Sequence, residues 1–522
     1  MPQANTLIPR PSKFLRNGGG DFTLTVDSRI VAGEEGRIAA EELALILRRS
    51  TGFALPIVGA AGIDCGSHGD IVFALEPSDP GDEGYSLTSG DDGVRIRSGT
   101  SAGLFNGVQT LRQLFPAAVE SLAPVDAAWV IGAFAVTDSP RLPYRGLMLD
   151  VARSFLNVDE IKRQIDTMSQ FKLNALHLHL TDDQAWRIEI HNPAINPSGL
   201  DYGNLTRLGG TGAVDAPGVG LSPGLTGFYT QQEFQDLVKY AARKNVLLVP
   251  EIDLPGHVNA ALAAIPQLNP DGAPKPMNTS GEVGYSTLDA DNPVTYEFVR
   301  EVLGQLAAIT PGPYLHVGGD EALVTGHDNY VNMVAEFSRM ARDAGKVPVG
   351  WNEYADVDIP EGSVVQFWHG DIAPTLTKAR EAGAKILMSP AATTYLDQKY
   401  DAASPIGLSW VEGGPFTWAE YYDWNPAQQG ISEDQLLGVE GPLWTETVRS
   451  GGQADWLIYP RVISLAEVGW TPQELRDTAD FARRLGEAGA RLDRQGVSFH
   501  PSPGIDWQAV PPSAFPAISA GS

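Results

Sequence analysis

Beyond residue 140 the sequence alternates short apolar runs with amphipathic stretches, and that rhythm restricts the fold more than any other feature. Strand-like runs fall at 145–151, 175–180, 246–252, 314–317, 347–350, 364–368, 385–388 and 436–439. Helical patterns lie between several of them. The clearest are 158–171 and 230–244, the second opened by a Thr230/Glu233 capping box. Eight strands alternating with helices over about 350 residues fit a (β/α)8 TIM barrel with insertions. A doubly wound open sheet is the alternative, but no glycine-rich phosphate loop follows any of the strands. The predicted class is α/β, with the barrel spanning 141–500.

Residues 1–140 follow another order. The run 22–31 alternates like a strand, and 37–49 carries apolar residues at helical spacing. Residues 70–75 are strand-like, and 85–98 form a hairpin turning at Asp91-Asp92-Gly93. Thr100 caps a helix running to Phe115, and 129–136 closes the unit with a strand. This β-α-β-β-α-β order predicts a small α+β domain ahead of the barrel. Residues 138–143 read as a linker and 501–522, rich in Pro and Ser, as a C-terminal tail. The stretch 192–228 is long, rich in Gly and Pro, and placed to cover the barrel mouth.

Charge narrows the ligand class. A formal net charge of -27 argues against nucleic acid or an anionic membrane as partner, since both need basic patches. A neutral or cationic substrate suits the chain better. No apolar run approaches membrane-spanning length, and no apolar segment of signal-peptide length follows the first charges. Cys65 is alone, so no intrachain disulfide forms. A cytoplasmic enzyme is the expectation.

Polar residues gather at the carboxyl ends of the predicted strands, where barrel enzymes keep their chemistry. They are Asp150 and Arg153, Thr181-Asp182-Asp183, then Glu251, Asp253 and His257. Asp320-Glu321 and Trp444-Thr445-Glu446 complete the set. His316-Val317-Gly318-Gly319-Asp320-Glu321 stands out, because two neighbouring carboxylates follow two glycines that leave room for something to approach. A helix cap is the plainer reading of Gly-Asp-Glu. Ten of the eleven tryptophans lie beyond residue 150, and Trp351, Trp368 and Trp444 fall at strand ends. Aromatic walls beside Asp, Glu and Arg suit a sugar, whose C–H faces stack while its hydroxyls bind charges.

Six stretches carry a resemblance to a known family. They are Tyr144-Arg145-Gly146-Leu147-Met148-Leu149-Asp150-Val151-Ala152-Arg153, His179-Leu180-Thr181-Asp182-Asp183-Gln184-Ala185-Trp186-Arg187, and Pro250-Glu251-Ile252-Asp253-Leu254-Pro255-Gly256-His257. Downstream come the 316–321 stretch, Gly350-Trp351-Asn352-Glu353 and Trp444-Thr445-Glu446. In this order they resemble glycoside hydrolase family 20, the β-N-acetylhexosaminidases. The resemblance implies exo-acting, retaining removal of terminal N-acetylglucosamine or N-acetylgalactosamine through an oxazolinium intermediate. The substrate's own 2-acetamido oxygen is then the nucleophile. It implies Glu321 as general acid and later base, Asp320 as orienter of the acetamido N–H, and Tyr395 as donor to its carbonyl. Trp351, Trp368 and Trp444 would line the acetamido pocket and sugar face. Arg153, Asp397 and Glu446 would bind ring hydroxyls, and Asp182 with His257 would form a relay behind Glu321. No metal and no cofactor are expected. Ser154 stands where many relatives carry histidine.

Physical chemistry reaches part of this independently. Two adjacent carboxylates in a dry pocket cannot both ionise cheaply, so one is pushed up as a general acid requires, while its neighbour stays charged. Two rivals remain at this stage. His177-Leu178-His179, with His257 and His369, could hold a zinc ion, although the pair begins inside its strand. A sugar-binding protein without catalysis would keep the pocket and not cleave.

Overall fold

The computed structural model describes residues 6–59, 69–76, 81–215, 222–414, 416–428, 430–507 and 515–516; Cys65 lies outside them. Eight parallel strands close into a barrel: Tyr144–Asp150, Ala175–His179, Leu247–Glu251, Tyr314–His316, Val347–Trp351, Val364–Phe367, Lys385–Met388 and Leu436–Leu443. The first and last strands pair in parallel, Leu147 beside Gly441, which closes the ring. The predicted (β/α)8 barrel with an α+β domain before it is the observed architecture. The helices Val158–Gln170 and Gln231–Arg243 both open with complete capping boxes, at Asn157/Glu160 and Thr230/Glu233.

One end of the barrel is filled by apolar side chains, among them Ala175, Val249, Val349, Val364 and Leu387. The next layer toward the carboxyl ends is polar: His177, Glu251, His316, Gln366 and Glu440 are all buried. Glu440 is held from below by Tyr144, whose Oη donates to Oε2 at 2.6 Å. A Cβ on Gly146 would lie 2.6 Å from that same Glu440 oxygen, so only glycine leaves the bond intact.

The N-terminal domain is a seven-stranded sheet in the order Lys13–Arg16, Phe134–Asp138, Tyr85–Gly90, Gly93–Ser98, Ile71–Leu75, Ile30–Val31, Ile57–Val58. Two helices, Arg37–Thr51 and Ser101–Leu114, pack on it. Thr100 caps the second by accepting from Gly103 N, and the hairpin turns where predicted. Two expected strands are broken. The run 22–31 is interrupted by a turn in which Ser28 Oγ accepts the Thr25 N–H at 3.0 Å, a local bond that competes with the sheet ladder. The run 129–136 splits at Gly132 into Val130–Ile131 and Phe134–Asp138.

The predicted linker is a packed joint. Asp138 is buried and accepts from Tyr85 Oη and Trp470 Nε1, both at 2.9 Å, and its Oδ2 lies 3.3 Å from Lys172 Nζ. Arg141 N and Leu142 N donate to the carbonyls of Trp470 and Gly469. Charge buried in this way needs pairing, and the joint supplies it across the two domains. Beyond residue 500, Trp507 packs on Phe499 and Phe515 on Trp456.

The long stretch 192–228 is pinned from inside by Arg187. Among the described residues its guanidinium makes no bond to a carboxylate; it donates to the carbonyls of Val151, Ala152, Gly210, Gly212, Leu225 and Gly227 at 2.7–3.3 Å. Five N–H groups in a rigid fork can gather six carbonyls from two loops as no lysine could.

Candidate active site

A cavity of about 370 Å³ opens at the carboxyl end of the barrel, lined by Arg153, His257, Asp320, Glu321, Trp368, Tyr395, Trp444 and Glu446, with Gly281, Val283, Leu408 and Trp410. Local backbone chemistry aims these groups. Asp150 Oδ1 accepts the amides of Ala152 and Arg153, which turns the chain and points Arg153 inward. Gly318 and Gly319 take φ of +70° and +104°, and Glu321 and His257 take +46° and +54°. Left-handed backbone at a non-glycine residue costs on the order of 1 kcal/mol, so two such residues facing one cavity mark a functional site. The two glycines do leave room: Asp253 fills the space at Gly318, and Tyr330 Oη stands 3.3 Å from a Cβ built on Gly319. No helix starts at Asp320-Glu321; the next one begins at His327, which removes the cap reading.

Asp320 and Glu321 converge on a single imidazole nitrogen. His257 Nε2 stands 3.6 Å from Asp320 Oδ2 and 3.4 Å from Glu321 Oε2, and its Nδ1 is 3.1 Å from Asp182 Oδ1. Asp182 also meets Arg153 Nη2 at 2.8 Å and His179 Nε2 at 2.8 Å. Burial opposes ionisation of Asp182, but Arg153 and His257 outweigh it and hold its pKa far below the usual carboxylate range. Burial likewise opposes the charge on His257, and Asp182 and Asp253 overcome it and raise its pKa well above the ordinary value.

One expectation is corrected here. Asp320, the carboxylate expected to stay charged, is pushed up. Burial lifts its pKa to about 7, helped by Glu353, Glu251 and Glu321 and opposed by His257. The reason is depth, since the Asp320 side chain is only 10% exposed.

The aromatic wall is continuous. Trp368 and Tyr395 stack at 6.2 Å and 12°, Trp410 meets Tyr395 edge-on at 5.7 Å, and Arg153 lies over the Trp444 ring at 5.0 Å. Trp368 Nε1 donates to Glu353 at 3.1 Å. Of the residues singled out from sequence, Asp182, Trp351 and Asp397 stand behind this surface. Trp351 is buried beside Trp444 and donates its Nε1 to Glu251 at 3.0 Å. Asp397 accepts from Gln398 Nε2 at 2.8 Å and Trp410 Nε1 at 3.4 Å, and burial next to Glu446 pushes it up to about 8. Asp320 Oδ1, Glu446 Oε2 and Arg153 Nη1 are buried without a hydrogen-bond partner among the described residues. Such atoms point to a ligand rich in hydroxyl and amide groups.

Sequence reading passed over Trp410 and Glu353. Trp410 sits in an irregular stretch with no periodicity to flag it, and Glu353 was visible only inside a motif. The zinc reading loses its ligand set. Among the described residues no cluster of possible donors unites His177 with His179 or includes His369, which is exposed against Trp368.

Residues 142–330 and 325–473 match the catalytic domain of glycosyl hydrolase family 20, and residues 4–139 match that family's domain 2. The chain belongs to glycosyl hydrolase family 20. Within the family, the β-N-acetylhexosaminidase of Cellulomonas fimi is 39% identical over 525 residues, covering 99% of this chain and 100% of that one. The family 20 β-N-acetylhexosaminidase of Streptomyces coelicolor A3(2) superposes with a TM-score of 0.88 at 40% identity, over 96% of this chain and 99% of that one. A mutant Streptomyces plicatus β-hexosaminidase in complex with its product GlcNAc gives 0.88 at 41% identity, over 96% and 98%.

Proposed function

We infer that the protein is an exo-acting β-N-acetylhexosaminidase, a retaining glycoside hydrolase that removes terminal N-acetylhexosamine residues. The observation that carries the mechanism is the meeting of Asp320 and Glu321 at one nitrogen of His257. Ordinary retaining glycosidases set two carboxylates about 5–5.5 Å apart across the sugar, one of them as nucleophile; family 20 is a stated exception to that rule. Asp320 and Glu321 meet at His257 at 3.6 and 3.4 Å, and in that exception neither has to serve as nucleophile. As in family 20 generally, the attacking atom comes from the substrate, whose 2-acetamido oxygen is in reach of the anomeric carbon.

Glu321, at the mouth, gives its proton to the departing oxygen and afterwards takes one from water. His257, backed by Asp182, holds Glu321 in place. Asp320 accepts from the acetamido N–H. Its charge is costly in the free site, as the raised pKa says. The positive charge of the forming oxazolinium offsets that cost, so Asp320 favours the transition state over the ground state. Tyr395 donates to the acetamido carbonyl, and Trp368 and Trp444 close around the ring with Trp351 behind them. Arg153 and Glu446 take ring hydroxyls, with Asp397 one layer back. A cavity of about 370 Å³ suits a single terminal residue.

Aryl glycosides with and without the 2-acetamido group test the reading. N-acetylglucosaminides and N-acetylgalactosaminides release the chromophore, and plain glucosides do not. Equal cleavage of glucosides contradicts it.

A further inference from the structure

The polar layer inside the barrel is joined to the site. Glu251, fully buried on the third barrel strand, places Oε2 2.5 Å from His179 Nδ1 and 3.1 Å from His177 Nε2, both on the second strand. Its Oε1 stands 2.9 Å from His316 Nδ1 on the fourth strand. On the far side of His177, Glu440 of the eighth strand lies 2.9 Å from Nδ1. Toward the rim, His179 Nε2 is 2.8 Å from Asp182, whose other oxygen is 3.1 Å from His257. His257 ends the series 3.4 Å from Glu321. Carboxylate and imidazole alternate from the barrel axis toward the proton donor, hydrogen-bonded from Glu251 through His179 and Asp182 to His257 and joined to Glu321 only by the 3.4 Å charge contact. Neither Glu251 nor His179 lines the cavity.

We propose that Glu251 and His179 are positioning residues that extend the Asp182–His257 pair inward to the barrel axis and set the upper pH limit of turnover. The proposal rests on Glu321 as proton donor. An imidazole with a carboxylate on each nitrogen is held as a cation, and His179 is such a ring. Its charge cancels part of the field that Asp182 directs at His257 and Glu321. The charged surroundings are consistent from every side. Glu251 faces His177, His179 and His316, while His179 faces Glu251, Asp182 and Asp253. Asp253 in turn faces Asp320 and His257. Burial opposes the charge on His179, yet Glu251 and Asp182 raise its pKa well above the ordinary value.

His179→Gln keeps a polar side chain between Glu251 and Asp182 and removes the charge. The field at the proton donor becomes more negative, which opposes loss of its proton. A unit charge ~10 Å away at an effective dielectric of ~20 corresponds to a shift of ~1 pH unit. The basic limb of kcat/KM moves up by about that much in His179→Gln. Glu251→Gln leaves His179 its Asp182 counter-ion and removes a negative charge behind it, so the limb moves the other way, down, and by a smaller amount. A folded variant whose plateau falls while the basic limb stays in place overturns the proposal, since a buried polar plug with a purely structural role would behave so. Should neither variant fold, nitrogen-15 spectra of histidine-labelled wild-type protein decide. His179 stays an imidazolium throughout the active pH range, and a neutral ring there overturns the proposal. Wild-type protein that releases no N-acetylhexosamine overturns the functional reading instead.

Discussion

Asp253 Oδ1 occupies the place where a side chain at Gly318 would begin: a Cβ there would lie 1.7 Å from it. Gly318 also takes φ of +70°, so both space and backbone demand glycine. Gly318→Ala is expected to lose about 3 kcal/mol or more, strain and clash together. Gly362 supplies the control, with φ of +77° and nothing within 4 Å of a built Cβ. Gly362→Ala should lose only about 1 kcal/mol, from backbone strain alone. Urea unfolding of both variants measures the difference, and equal losses would show that the Asp253 contact is irrelevant.

Glu321→Gln keeps shape and removes the transferable proton. Turnover of substrates with poor leaving groups should fall ~10²–10⁴-fold, the range of general acid catalysis. Glycosides whose leaving group needs no proton, such as dinitrophenyl, should lose much less. Uniform loss across leaving groups would remove Glu321 from the acid role.

Asp320 works when ionised and, in the free protein, its pKa is raised to about 7. A group raised in this way is uncharged below that pH, so kcat/KM should fall as pH drops through about 7. Asp320→Asn should slow N-acetyl substrates ~10²–10³-fold and lose that limb. An acid limb that persists unchanged in the variant assigns it to another group.

Arg187→Met should leave up to six carbonyls in two loops without their donor. A loss of about 3–5 kcal/mol follows from unsatisfied buried acceptors. Limited proteolysis should then cut within residues 192–228, and an undisturbed digest would mean that the loops hold themselves.

The barrel was legible because its strands are buried on both faces and read as short, mostly apolar runs, interrupted by axial polar residues such as His177 and Gln366. All eight were placed to within a few residues; the last, expected over 436–439, runs on to Leu443. The N-terminal strands Lys13–Arg16 and Ile57–Val58 escaped, being four and two residues long, too short to show a period. The adjacency of Asp320 and Glu321 was plain, but the raised pKa of Asp320 depends on its depth in the fold. The axial carboxylate–imidazole series was out of reach, since His177 and Glu440 meet across 263 residues.

The central claim is that the substrate's acetamido oxygen attacks. Fluorine placed on the acetyl methyl group drains electron density from that oxygen and alters little else. With aryl N-acetyl, N-fluoroacetyl, N-difluoroacetyl and N-trifluoroacetyl glucosaminides, kcat/KM should fall at every added fluorine. Rates indifferent to fluorine, together with a trapped sugar–protein ester, would contradict the account.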